Sequence, residues 1–279
     1  MVDESAAGAW AEQSPDDLGA EEKKRPDPDH PAWGVPVGIG VWVASVLAII
    51  IVPIIAVIVW YILSRARGVE VPGLLSQEAM IEWLKSPRLL LVQVASTLVA
   101  HLVTLAICWM LVTKMGRRPF WASLGWHWAG RSPLFWLVFS VLVIVALIAF
   151  GQVAARILPE SQNTSFAELL RSSLQVRIAL ALLATFSAPI VEEVIYRGVI
   201  FPAVVRRTGV AAAVVLVTML FAGVHFLQYW GAWVSISGLI FLSLILTVVR
   251  ARTGSILPSV MIHFVNNAFF SVLIVANKG

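Results

Sequence analysis

The sequence predicts an all-α, polytopic integral membrane protein with about seven transmembrane helices, eight being the upper count. Three observations carry that prediction. Of 279 residues, 59% are hydrophobic and 13% charged, where soluble domains run nearer a quarter charged. Mean hydropathy is +0.87. Twelve Trp are present, and indole rings favour the membrane–water interface.

The first 29 residues hold nine of the sixteen acids (Asp3, Glu4, Glu12, Asp16, Asp17, Glu21, Glu22, Asp27, Asp29), with Pro15, Pro26 and Pro28. Such a segment buries too little apolar surface to offset its ordering entropy, so residues 1–32 are expected to be a disordered acidic tail. It does not read as a signal peptide, because no apolar run begins before Trp33. Seven runs then approach the 20 or so apolar residues a span needs: Val35–Leu63, Leu89–Thr113, Leu134–Ala155, Ile178–Val205, Val210–Leu227, Trp233–Val249 and Ile256–Ala276. Within the first transmembrane region, 33–170, the stretch SQEAMIEWLKSP is shorter and charged. It reads as an amphipathic surface helix near 76–86, with Ser76 as N-cap and Pro87 as stop. Residues 171–279 form the second region. No internal repeat is visible, which removes the duplicated halves common in transporters.

With the amino terminus inside, inner loops hold eleven basic residues (Lys23, Lys24, Arg25, Lys114, Arg117, Arg118, Arg131, Arg206, Arg207, Arg250, Arg252) and outer ones eight (Arg65, Arg67, Lys85, Arg88, Arg156, Arg171, Arg177, Lys278). That bias predicts a cytoplasmic amino terminus, in what reads as a bacterial plasma membrane. The basic residues are scattered between spans, so no nucleic-acid partner is expected; membrane lipid is. The single cysteine, Cys108, excludes an intramolecular disulfide and a cysteine metal cage.

After Glu168 the only acids are Glu192 and Glu193, inside the apolar stretch APIVEEVIYRG. A carboxylate in a span costs roughly 2.5–3.5 kcal/mol on insertion scales. Glu193 and Arg197 are four apart and can pair on one helix face. Glu192 is turned about 100° away from its neighbour and is left free, a general-base candidate in a low-dielectric site. Pro189, just before, predicts a kink. Downstream, FAGVH sets Phe221 and His225 one turn apart, and HFVNN sets His263 and Asn267 one turn apart. His101 in the second span reads as a helix-bonding group.

A depth count tests whether these residues meet. Glu192 lies 14 residues before Arg206, about 21 Å along a helix. His225 comes out at about 22 Å above the same surface, His263 at about 12 Å and Asn267 at about 18 Å. Four polar residues from three helices thus fall in roughly one layer. Two schemes suit them. Glu192 could deprotonate a water with help from His225, while His263 and Asn267 bind the oxyanion. Alternatively Glu192, His225 and His263 could ligate Zn²⁺, although no HExxH spacing is present. A serine mechanism has no support, because no Gly-x-Ser-x-Gly elbow occurs.

These residues resemble a known family. EEVIYRG resembles the EExxxR motif of the CAAX prenyl endopeptidase and bacteriocin-processing (CPBP, Abi) family, FAGVH its FxxxH motif and HFVNN its HxxxN motif. The resemblance covers roughly Leu180 to Phe270. It implies an intramembrane endopeptidase, whose eukaryotic relatives remove the last three residues of prenylated CAAX proteins. On that pattern Glu192, His225, His263 and Asn267 are the catalytic set, and Glu193 and Arg197 are supporting residues. The family is described both as metalloproteases and as metal-independent, so Zn²⁺ stays open. The implied substrate is a membrane-associated or lipidated peptide. The rival expectation is a membrane immunity or partner-regulating protein in which the motif is dispensable; a proton-coupled transporter ranks third.

Overall fold

A computed structural model describes residues 27–73, 76–161 and 163–276. Among them there are helices and no strand, apart from one isolated bridge between Glu160 and Ala232. The order is α1 (Val35–Ala66), α2 (Gln77–Leu84), α3 (Pro87–Val112), the short α4 (Phe120–Ser123), α5 (Pro133–Ala154) and α6 (Ser165–Leu170). Then come α7 (Leu174–Thr208), α8 (Val210–His225), α9 (Trp233–Thr253) and α10 (Leu257–Ala276).

Proline and glycine set most boundaries. Proline opens α1, α3 and α5 at the first turn, where its missing N–H would have no partner anyway. Pro87 therefore starts α3 instead of stopping α2. The Ser132 hydroxyl accepts the Phe135 N–H at 3.1 Å, capping α5. Gly209, at φ +79°, turns the chain between α7 and α8, and Gly254, at φ +63°, closes α9 in the left-handed region.

Among the described residues, six helices (α1, α3, α5, α7, α9, α10) are long and apolar enough to cross a membrane. The seventh expected span, α8, is a shorter apolar helix of 16 residues, about 24 Å. It ends at His225 because residues 226–232 leave the helix and fold back. Large apolar side chains such as Ile54, Ile58 and Ile62 of α1, Leu102 of α3 and Val145 of α5 point outward. A continuous apolar exterior of this kind suits lipid, not water. The interior is more polar: Ser243, Thr247, Ser259, Glu193, Arg197 and Arg250 are all buried. The protein is thus an all-α integral membrane bundle.

Two π-helical segments, Leu183–Ser187 and Val194–Ile200, interrupt α7. In the first, the Ala188 N–H returns to the Leu183 carbonyl, five residues back. The next carbonyl in that register, Ala184, faces Pro189, which has no N–H. Asn267 of α10 supplies the donor instead, Nδ2 to Ala184 O at 2.8 Å. The second segment repeats the pattern. Phe201 N–H returns to Tyr196 O, and the Arg197 carbonyl then meets Pro202. Arg250 Nε of α9 donates to it at 3.2 Å. The kink expected at Pro189 is therefore a register change, and each freed carbonyl is taken by a side chain from another helix.

The sequence predicts an amino-terminal tail over residues 1–32. Residues 1–26 lie outside the described residues, but 27–33 are placed against the bundle. Asp29 accepts from Arg250 Nη1 at 2.8 Å, the Pro31 carbonyl from Arg206 at 2.9 Å, and Trp33 Nε1 donates to Val199 O at 2.9 Å.

Candidate active site

The site is built from α7, α8, α9 and α10. Glu193 and Arg197 sit one turn apart, and both side chains are fully buried. Their ion pair measures 3.0 Å, Nη1 to Oε1. The remaining guanidinium nitrogens reach α9: Nη2 donates to the Ser243 hydroxyl at 2.7 Å and its carbonyl at 2.9 Å, and Nε to the Thr247 hydroxyl at 3.2 Å. The cation also lies 5.0 Å from the Phe221 ring centroid. Ser243 and Thr247 were not singled out from sequence. Their signal was two small hydroxyls four apart in an apolar run, enough to line a socket for a cation.

His263 of α10 is held between both glutamates. Its Nδ1–H donates to Glu193 Oε1 at 2.9 Å, and its Nε2 faces Glu192 Oε2 at 3.7 Å. The ring is buried, whereas the Glu192 side chain keeps 21% exposure. Because Glu193 is bound to Arg197, it serves as the acceptor and so fixes the ring tautomer. Glu193 Oε2 has no hydrogen-bond partner among the described residues.

His225, half-buried at the end of α8, stacks near Phe221, 5.2 Å between ring centroids, and Phe221 lies 5.9 Å from His263. Both histidine rings therefore pack against one aromatic ring. His225 Nδ1 lies 3.2 Å from Gln228 Oε1. Tyr229 packs on Phe166 at 5.1 Å. Burial, with the Glu192 charge added, holds the Tyr229 phenol well above its ordinary range, so it stays protonated. The segment 228–233 thus folds back toward the site, with Trp230 left exposed. Glu160 anchors that fold-back by accepting from Val234 N at 2.8 Å and from the Ser235 hydroxyl at 2.6 Å.

Asn267 stands apart from this carboxylate–imidazole cluster in its contacts. It spends one amide hydrogen on Ala184 O and accepts from Asn266 Nδ2 at 3.2 Å. His101 of α3 bonds Ser187 at 2.7 Å, the helix-linking contact its position suggested.

For a metal, the expected ligands were Glu192, His225 and His263. Among the described residues no three His, Cys, Asp or Glu side chains are grouped to hold one ion. His263 keeps Nε2 free of Glu193, and both histidine rings pack against Phe221. These three side chains are therefore not gathered around one point among the described residues.

No curated protein and no solved structure matches this chain. Residues 174–269, from the start of α7 into α10, match the family model described as Type II CAAX prenyl endopeptidase Rce1-like. That stretch contains every residue of the cluster, so the site lies wholly within the part of the chain that is similar to this family.

Proposed function

We propose that this protein is an intramembrane endopeptidase acting on a membrane-associated or lipidated peptide, with Glu192 as the general base. The supporting observation is the bracketing of His263. With Nδ1–H given to Glu193, the neutral ring presents a lone pair at Nε2, 3.7 Å from Glu192 Oε2. That gap is too long for a direct hydrogen bond, but a water about 2.8 Å from each atom spans it. The proposal therefore pairs Glu192 with His263 for activating water, and gives His225 and the second amide hydrogen of Asn267 to the carbonyl oxygen. The sequence had suggested the reverse assignment of the two histidines.

In this mechanism the water gives a proton to Glu192 and its oxygen bonds the scissile carbonyl carbon. The carbonyl π electrons move to the oxygen, which His225 and Asn267 stabilise. Collapse of the intermediate breaks the C–N bond as Glu192 returns the proton to the leaving nitrogen. Glu193 and Arg197 are positioning residues that fix the His263 ring.

The test is cleavage of a prenylated CAAX peptide, beside its unprenylated twin, by purified wild type and Glu192→Gln. Loss of turnover by about 10²-fold or more is expected, with the melting temperature unchanged. Equal turnover would overturn the mechanism. A Glu192→Gln protein that still protects its host would favour the immunity reading. Metal content, with turnover after chelation, decides between the metal-free scheme and Zn²⁺.

A further inference from the structure

Away from the active site, the loop between α4 and α5, the first turn of α5 and the last turn of α9 line an open cleft of about 570 Å³. Its volume lies in the range of small-ligand pockets. Two arginines line it, Arg131 and Arg252, with His127. Neither arginine takes part in an ion pair among the described residues. The lining comes entirely from residues 127–136 and 252–253, and no acid occurs between Glu82 and Glu160 or after Glu193. The positive charge of the cleft is therefore uncompensated by its own walls.

The side-chain groups left there to meet a ligand are the two guanidiniums and His127. Ala129 N–H donates to His127 Nδ1 at 3.1 Å, so the neutral ring carries its proton on Nε2. The hydroxyl of Thr253 is committed to the Val249 carbonyl at 2.8 Å. The indole N–H of Trp136 is committed to the Trp128 carbonyl at 2.9 Å, which leaves the ring itself as an apolar wall. Arg131 is held over the Phe135 ring, 5.2 Å from its centroid. The loop is set by two successive left-handed residues, Ala129 at φ +53° and Gly130 at φ +71°. A left-handed alanine is uncommon, and such strain persists only where surrounding contacts enforce it.

We propose that this cleft binds a phosphate-bearing anion through Arg131, Arg252 and His127. Guanidinium forks match phosphate oxygens bidentately. Two sources supply that chemistry, the headgroup of an anionic phospholipid and free phosphate. The cleft opens at the ends of two membrane-length helices, with the Phe135 and Trp136 rings beside the cations, the combination a headgroup with its glycerol would meet.

The experiment uses the full chain in detergent and a fluorescent phosphatidylglycerol, with unlabelled phosphatidylglycerol, phosphatidylcholine and inorganic phosphate as competitors. Wild type should be displaced by phosphatidylglycerol and not by phosphatidylcholine. R131Q/R252Q should weaken binding roughly tenfold or more, and K114Q/R117Q, which removes equal charge from a neighbouring loop, less than twofold. All four side chains are exposed, so both variants should keep the wild-type melting temperature. Displacement by millimolar inorganic phosphate alone, with the same dependence on Arg131 and Arg252, assigns the site to free phosphate. Equal weakening by the two double variants, or no preference for phosphatidylglycerol over phosphatidylcholine, overturns the proposal.

Discussion

At the residue scale, the two adjacent glutamates have opposite settings. Glu193 has no exposed surface and is tied to Arg197 and His263, whereas Glu192 is partly open and faces only one of those groups. Breaking a buried pair from one side strands a charge, at about 3–5 kcal/mol. Arg197→Ala should therefore lower the unfolding free energy in detergent by that much, and Arg197→Lys should recover only part, because an ammonium cannot fork to Glu193, Ser243 and Thr247 together. Glu192→Gln should leave the same melt unchanged. Sequence spacing made the Glu193–Arg197 pair legible through the i, i+4 rule. It could not show that His263, seventy residues on, would bridge the two carboxylates.

At the element scale, α7 is shaped by its prolines. Pro189 and Pro202 each follow a π segment and leave a carbonyl unclaimed five residues earlier, which Asn267 and Arg250 then take. Asn267→Ala leaves Ala184 O without that donor, at about 1–3 kcal/mol. Pro189→Ala restores an N–H in the same register. The double variant should therefore be more stable than the sum of the two single changes, a coupling a melt-based double-mutant cycle reads directly. Additive losses would mean that Asn267 acts elsewhere. The His101–Ser187 bond joins α3 to this same irregular stretch. Ser187→Ala should cost only about 0.6 kcal/mol, typical of an interhelical bond in a membrane bundle. The prolines were visible in the sequence, but the register shift was not, because it depends on which distant side chains stand ready to satisfy the freed groups.

At the scale of the whole molecule, residues 27–33 strap one end of the bundle. Arg250 is buried and reaches Asp29, the Pro28 carbonyl and the Arg197 carbonyl together. Beside it, Gly125 lies against the Gly254 carbonyl and Pro28, where a Cβ has no room. Arg250→Ala should destabilise more than Asp29→Ala, since Asp29 is half exposed and its charge is partly solvated. The strap also carries an acid dependence. The Asp29 N–H, at 2.9 Å, and the His30 ring hold the Asp27 carboxyl below its ordinary 3.8. A depressed acid stabilises fully above its unfolded pKa, and that contribution is lost as pH falls through the folded value. Trp33 fluorescence should thus stay constant from pH 7 to 5 as far as this group is concerned, and change only in stronger acid.

The sequence by itself determined the membrane bundle, its apolar runs, the pairing of Glu193 with Arg197, and the motifs by which residues 174–269 resemble a known family. These are local properties: hydropathy over a span's length, or neighbours one turn apart. Only the tertiary structure decided which histidine stands against Glu192, what Asn267 holds, where α8 stops, and that part of an acidic tail packs against Arg250. Each of those follows from satisfying a buried polar group with a partner far away in the chain. In a low-dielectric interior that requirement is strict, but nothing in local spacing says which distant donor will meet it.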